Sequence, residues 1–235
     1  MLDGLTIIRV AFERTVRLVT TARLRESVLL GLVEENELGE LAEIEGATST
    51  RLQAQNRGVG NITPLEMVYG VPHAVFINAA FAYAKPREPN RFNGPDRGAW
   101  YAALEIETCL AEVTFHMTDF LSKTGIYEAV VEYSEMFASF AGEFVDLRHH
   151  ADHQCLYPNT AIGYPAGNAL AEGARTRGLN GIVYLSVRRS GGTCLVALVP
   201  HAVQSVAQGG IYRLTWNGSP KPGVSTPSAS TRDSL

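Results

Sequence analysis

The chain has 235 residues, 46% of them hydrophobic and 19% charged, which is enough apolar material for one large or two small folded domains. A formal net charge of −4 gives no basic field to attract a polyphosphate backbone, so direct nucleic-acid binding by this chain is not expected. Three widely spaced cysteines, Cys109, Cys155 and Cys194, do not make the disulfide framework of a small secreted domain, and a reducing cytoplasm is the expected setting.

The N-terminus opens apolar, but Arg9, Glu13, Arg14 and Arg17 interrupt it before a signal-peptide core could form, and no later apolar run is long enough to span a bilayer. Residues 5–44 show helical periodicity, with Ile8, Phe12, Val16 and Val19 on one stripe and Val28, Leu29, Leu32 and Val33 on a second. The spacing predicts two helices, an N-terminal helical extension over residues 1–49. A Thr/Ser/Gly/Asn-rich stretch, Gly46 to Asn61, marks the junction into the main domain, expected over 50–216.

Ala84 to Gly98 carries three prolines and two glycines and reads as loop with turns. Ala99–Ile106 reads as a strand, and a helix begins near Thr108 with Leu110, Val113, Met117, Phe120 and Leu121 on one face. A strand follows at Ile126–Tyr133 and a helix of small residues at Ala161–Arg177. Two strand-like runs, Ile182–Val187 and Cys194–Val199, are joined by RRSGGT in a hairpin. The segment from Asn217 to the end is rich in Pro, Ser, Thr and Gly and reads as a disordered tail, 217–235. Interleaved short strands and helices without a glycine-rich phosphate loop predict an α+β domain rather than a doubly wound sheet.

Arg91, Tyr101 and Glu112 fall on a loop, a strand and the following helix, so all three can face one cleft. A guanidinium grips a diphosphate, a phenol offers a stacking face, and a carboxylate stabilises the cation that develops as a glycosidic bond breaks. His116, four residues after Glu112 on the same helical face, is a possible accessory group. In DLRHHADHQC, His149 and His153 have i, i+4 spacing with acids and Cys155 nearby, but the HExxH glutamate is missing. A hydrophilic loop without a metal is expected there. Cys109 and Cys194 fall in elements expected to be buried, and Ser186 lacks a GxSxG elbow.

RFNGPDRGAWYAALEIETCLAEVTFH resembles the central signature of the RES domain, named for its Arg, Glu and Ser, and GLNGIVYLSVRRSGGTCLVALVP is similar to the second signature of that family. One departure is Thr193-Cys194 after the Gly-Gly turn, where the family often has Asn. The resemblance implies an ADP-ribosyltransferase-like mixed sheet core with surrounding helices. It implies a bacterial toxin that splits NAD+ with phosphate as acceptor into nicotinamide and ADP-ribose 1″-phosphate, the alternatives being a protein ADP-ribosyltransferase that uses the same cleft or a catalytically silent binding module. NAD+ is then a substrate, phosphate the co-substrate, and no cofactor is required. The partner implied is an Xre-type helix-turn-helix antitoxin through which alone DNA is contacted, and homodimers are common in the family. Carried over, Arg91, Tyr101, Glu112 and Ser186 match the Arg, Tyr, Glu and Ser of the signatures. A first-strand arginine of the family would be Arg51, with Arg57 as its competitor.

Overall fold

The computed structural model describes Leu2 and residues 4–21, 62–82 and 89–226. Seven strands, β1 (Thr6–Thr20), β2 (Trp100–Ala103), β3 (Glu128–Asp146), β4 (Gly181–Leu185), β5 (Thr193–Ala197), β6 (Val203–Asn217) and β7 (Gly223–Ser225), alternate with helices α1 (Ala74–Ala82), α2 (Ile106–Ser122) and α3 (Thr160–Thr176). The α+β expectation therefore holds. The strands form one sheet in the order β1-β2-β5-β4-β3-β6-β7, in which β3 and β4 run parallel and the other pairs antiparallel. Because β1 pairs with β3 along its length and also touches β2 at Val16–Ala103, strands β1-β2-β5-β4-β3 close on themselves.

Alternation along the strands divides the core in two. Tyr101, Ile182, Tyr184, Cys194 and Val196 face α2 and α3, whereas Trp100, Ala102, Val183, Leu195 and Ala197 pack with Ile77 and Phe81 of α1. The three central strands are thus buried on both faces, and their side chains toward α2 and α3 form the floor of the site described below. The β4–β5 turn follows the RRSGGT expectation, with Gly191 at φ +76°, a conformation favouring glycine.

Two expectations are corrected. Residues 6–20 are a strand, not the first helix of an N-terminal extension. Eight of its fifteen residues are β-branched Thr, Ile or Val, whose stiff χ1 suits a pleated surface. A bulge between Phe12 and Thr15 inserts one extra residue against β3 and swaps the faces: Ile8, Val10 and Phe12 pack toward α1 before it, and Val16 and Leu18 pack toward α2 after it. Combining two alternating runs of opposite phase imitates a helical stripe. The second expected helix, Val28–Val33, lies outside the described residues.

The disordered tail is also corrected over its first part, because Gly223–Ser225 pairs with Arg213–Thr215 of β6. Trp216 Nε1 donates to Thr118 Oγ1 and that hydroxyl donates to the Pro220 carbonyl, which fastens the turn between β6 and β7 to α2. Hydrogen bonding thus orders a segment with almost no apolar burial; residues 227–235 lie outside the description. Phe120, expected on the buried face of α2, is instead 58% exposed.

Candidate active site

The Arg91 loop is built around a tight turn in which Asn90 and Asn93 pair across Arg91 and Phe92. Phe92 is fully buried edge-on against Tyr184 of β4, and this contact pulls the neighbouring Arg91 beneath α3. Arg91 is 6% exposed, and its Nη1 donates to the carbonyls of Cys155 and Tyr157, the latter at 3.0 Å. The Tyr164 ring of α3 stands 5.4 Å from its guanidinium carbon. Space for this arrangement depends on two glycines. A Cβ at Gly163 would come within 2.7 Å of Arg91 Nη1, and one at Gly167 within 2.0 Å of the Arg91 carbonyl oxygen. Asn168 completes the attachment, its side-chain nitrogen donating to the Asn90 carbonyl at 2.7 Å.

Tyr101 reaches the same loop from β2. Its hydroxyl accepts from the Phe92 N–H and donates to Asn93 Oδ1, both at 2.9 Å. Enclosure of this phenol by protein pushes its pKa far above the ordinary range, so it remains a neutral donor. The structure therefore joins Tyr101 to the Arg91 loop through the hydroxyl and leaves its ring half-buried on the α2 side.

Glu112 lies in the second turn of α2, which packs on the sheet through Leu110, Val113, Met117 and Leu121 and so turns Glu112 toward the end of β4. Ser186 leaves that strand end. Its Oγ donates to Glu112 Oε1 at 2.7 Å and accepts the backbone N–H groups of Arg188 and Arg189 at 3.1 Å each. One hydroxyl thereby stabilises the turn and fixes the carboxylate. Cys194 Sγ lies 3.9 Å from the same carboxylate oxygen, and burial, reinforced by the Glu112 charge, keeps it a thiol. Glu112 Oε2 makes no hydrogen bond among the described residues.

Two further side chains lie beside these residues that the sequence motifs did not single out. Tyr164 closes over Arg91, and Arg188 lies across the Phe115 ring of α2 at 3.4 Å. Arg91 and Arg188 donate to the adjacent carbonyls of Tyr157 and Pro158, and Ser186 links the Arg188 backbone to Glu112, so these side chains are neighbours. Tyr164 sits in a helix of small residues with no periodic polar signal, whereas the position of Arg188, two residues after Ser186, was available. His116 keeps much of its surface in solvent, although crowding protein atoms lower its pKa against the opposing pull of Glu112. It makes no hydrogen bond to Glu112 among the described residues. Arg51 and Arg57 lie outside the described residues.

In the DLRHHADHQC loop, Arg148 binds both oxygens of Asp146, at 2.9 and 2.7 Å, and His153 Nδ1 accepts the Cys155 N–H at 3.2 Å. Among the described residues no three His, Cys, Asp or Glu side chains converge as metal ligands. No helix among them is long and apolar enough to cross a membrane. Beyond Arg188 and Phe115, a groove of about 510 Å³ runs along α2, walled by Thr114, Thr118, Asp119 and the Pro220–Pro222 turn.

The family model for the RES domain matches residues 67–217. An uncharacterized protein, y4oC, of Sinorhizobium fredii is 27% identical over 198 residues, spanning 82% of this chain and 78% of that protein. Among solved structures, the M. tuberculosis MbcT–MbcA toxin–antitoxin complex aligns with a TM-score of 0.38 and 17% identity, covering 53% of this chain and 74% of the chain it matches.

Proposed function

The chain belongs to the RES-domain family, and from that premise we propose that it splits NAD+ at the nicotinamide–ribose bond with Glu112 as the central catalytic group. The observation that carries this reading is the 2.7 Å bond from Ser186 to Glu112. It joins the Glu and Ser of two signatures 74 residues apart in sequence and leaves the second carboxylate oxygen without a protein partner among the described residues.

Nicotinamide in NAD+ is already a cationic leaving group, so its expulsion needs no general acid. The N-glycosidic electron pair leaves with nicotinamide, and the ribose carbon passes through an oxocarbenium-like state whose positive charge Glu112 stabilises. A phosphate oxygen then forms the new C–O bond, which gives ADP-ribose 1″-phosphate. Arg91 supplies positive charge for the diphosphate of the substrate, joined in this reading by Arg51 or Arg57. Ser186 orients Glu112. Tyr101 keeps its ring toward the substrate while its hydroxyl positions the Arg91 loop, and His116 is an accessory group near the carboxylate. NAD+ is consumed as substrate.

Family resemblance supports the biological setting: a cytoplasmic bacterial toxin, homodimeric, silenced by an Xre-type antitoxin that covers the cleft and alone contacts DNA. The test incubates purified protein, free of any antitoxin, with NAD+ in the presence and absence of inorganic phosphate and resolves the products by mass spectrometry. Phosphate-dependent ADP-ribose 1″-phosphate is expected, and Glu112→Gln should abolish its formation while NAD+ binding persists. A folded Glu112→Gln protein with wild-type turnover would remove Glu112 from the mechanism. Labelling of a protein in place of phosphate would change the acceptor and keep the site.

A further inference from the structure

Arg188 is held more firmly than a surface arginine needs to be. Its guanidinium is stacked on Phe115 at 3.4 Å, its Nη2 donates to the Pro158 carbonyl at 3.1 Å, and its backbone N–H is bound by Ser186 Oγ. Three segments, α2, the 154–159 turn and the end of β4, thus pre-order a side chain that is otherwise rich in rotamers. The adjacent Arg189 is spent on Thr108 and Glu105, the carboxylate at 3.8 Å. Arg188 makes no ion pair within 4 Å among the described residues; its protein partners are a ring and a carbonyl.

Arg91 has the same character, with two carbonyls and the Tyr164 ring for partners. Arg91 donates to the Tyr157 carbonyl and Arg188 to that of Pro158, so the two guanidinia are anchored on adjacent peptide units, while Ser186 ties the Arg188 backbone to Glu112; the negative charges of Glu112 and Asp119 both bear on Arg188. Arg91 is buried and Arg188 half-buried, and neither forms an ion pair within 4 Å among the described residues, so an anion that reaches them through charge-assisted hydrogen bonds displaces no protein carboxylate.

We propose that Arg188 is a ligand-binding residue for a diphosphate, forming with Arg91 a two-guanidinium clamp that holds the anion beside Glu112. The groove along α2 that opens at Arg188 gives the rest of the ligand a direction in which to extend. The NAD+ reading supplies the name of the ligand; the clamp itself requires only a diphosphate.

The experiment uses the full-length protein carrying Glu112→Gln, so that nothing is consumed, and measures affinity for NAD+, ADP and inorganic pyrophosphate by calorimetry. Adding Arg188→Met, which keeps an apolar body against Phe115, should weaken all three by roughly 10- to 100-fold, the change expected from losing a charge-assisted bond. Arg188→Lys should recover part of the loss, because the charge remains and the planar fork does not. Unchanged pyrophosphate and ADP affinities in folded Arg188→Met, or a loss that Arg188→Lys leaves unrelieved, would overturn the clamp. If the protein carrying native Glu112 leaves NAD+ intact while pyrophosphate binding depends on Arg188, the clamp stands and the NAD+ reading falls. If NAD+ is cleaved with unchanged KM by Arg188→Met alone, the clamp falls and the NAD+ reading stands.

Discussion

Gly167→Ala and Gly173→Ala make the same chemical change in the same helix, and the structure assigns them opposite signs. At Gly167 the new methyl would sit 2.0 Å from the Arg91 carbonyl oxygen, against an ordinary carbon–oxygen separation of about 3.3 Å, so more than 1 Å must open between α3 and the Arg91 loop. The helix has little freedom to retreat, because Leu170, Ala171 and Ala174 are fully buried against the sheet. Moving the loop instead breaks the Asn168 bond to the Asn90 carbonyl. Overpacking costs about 1–3 kcal/mol and the hydrogen bond about 1, while alanine returns about 1 through helix propensity, for a net loss of about 2 kcal/mol. For a chain of this size that lowers Tm by about 4–8 °C. At Gly173 the methyl would meet only Leu2, at 3.9 Å, so the propensity gain of about 1 kcal/mol should raise Tm by about 2–4 °C. Calorimetric melts of both variants check the pair, and NAD+ turnover should fall in Gly167→Ala alone because Arg91 moves with its loop. A Gly167→Ala protein melting at or above the wild-type temperature would refute the packing of α3 on that loop.

Ser186→Ala removes an acceptor shared by two N–H groups and the donor to Glu112; with water partly replacing it, about 1–2 kcal/mol of stability should go. The accompanying drop in kcat should exceed any change in KM, and wild-type kcat in the folded variant would show Ser186 to be a bystander. The hydrogen bonds from Arg148 are the largest influence holding the Asp146 carboxyl below its ordinary range. Their stabilisation is present above about pH 4 and is lost as pH falls through the lowered folded-state value. Asp146→Asn should therefore cost about 1–2 kcal/mol at neutral pH, discounted for the part-exposed Arg148, and nothing in strong acid; a constant difference across the denaturation profile would contradict this. Deleting residues 1–21 removes β1 and exposes the β3 edge from Tyr133 to Asp146, so the cooperative melt should disappear. A soluble deletion protein with an unaltered melt would show β1 to be dispensable.

What the sequence discloses about this fold depends on whether one local rule acts at a time. The β4–β5 hairpin was legible because glycine punctuation and β-branched runs point the same way. The α2 helix was legible because Leu110, Val113, Met117 and Leu121 recur on one face against a single sheet surface. The β1 strand was not, because its bulge joins two alternating runs of opposite phase and yields spacings near 3.6. Residue chemistry overrules spacing there: a helix with eight β-branched residues in fifteen works against its own side-chain entropy. The β6–β7 turn escaped for another reason. Composition registers missing apolar burial, whereas the bonds from Trp216 through Thr118 to Pro220 are long-range and polar.

The candidate site divides along the same line. Glu112 and Ser186 could be singled out from separate signatures, and the fold brings them to 2.7 Å. Their roles become unequal only in three dimensions, where Ser186 spends its hydroxyl on two N–H groups and the carboxylate, and Glu112 keeps a second oxygen without a protein partner among the described residues. Tyr101 similarly shifts from a stacking face toward a support for the Arg91 loop once its hydroxyl is seen bonded to Phe92 and Asn93. Arg188 and Arg189 are indistinguishable as a basic pair in sequence. Glu105 and Thr108 take up one, and Phe115 stacks under the other without neutralising it, so the difference between a structural arginine and an anion-binding one resides in the partners that α2 supplies. A cation that the fold orders but does not neutralise has a use for a ligand's negative charge that its neutralised neighbour has lost.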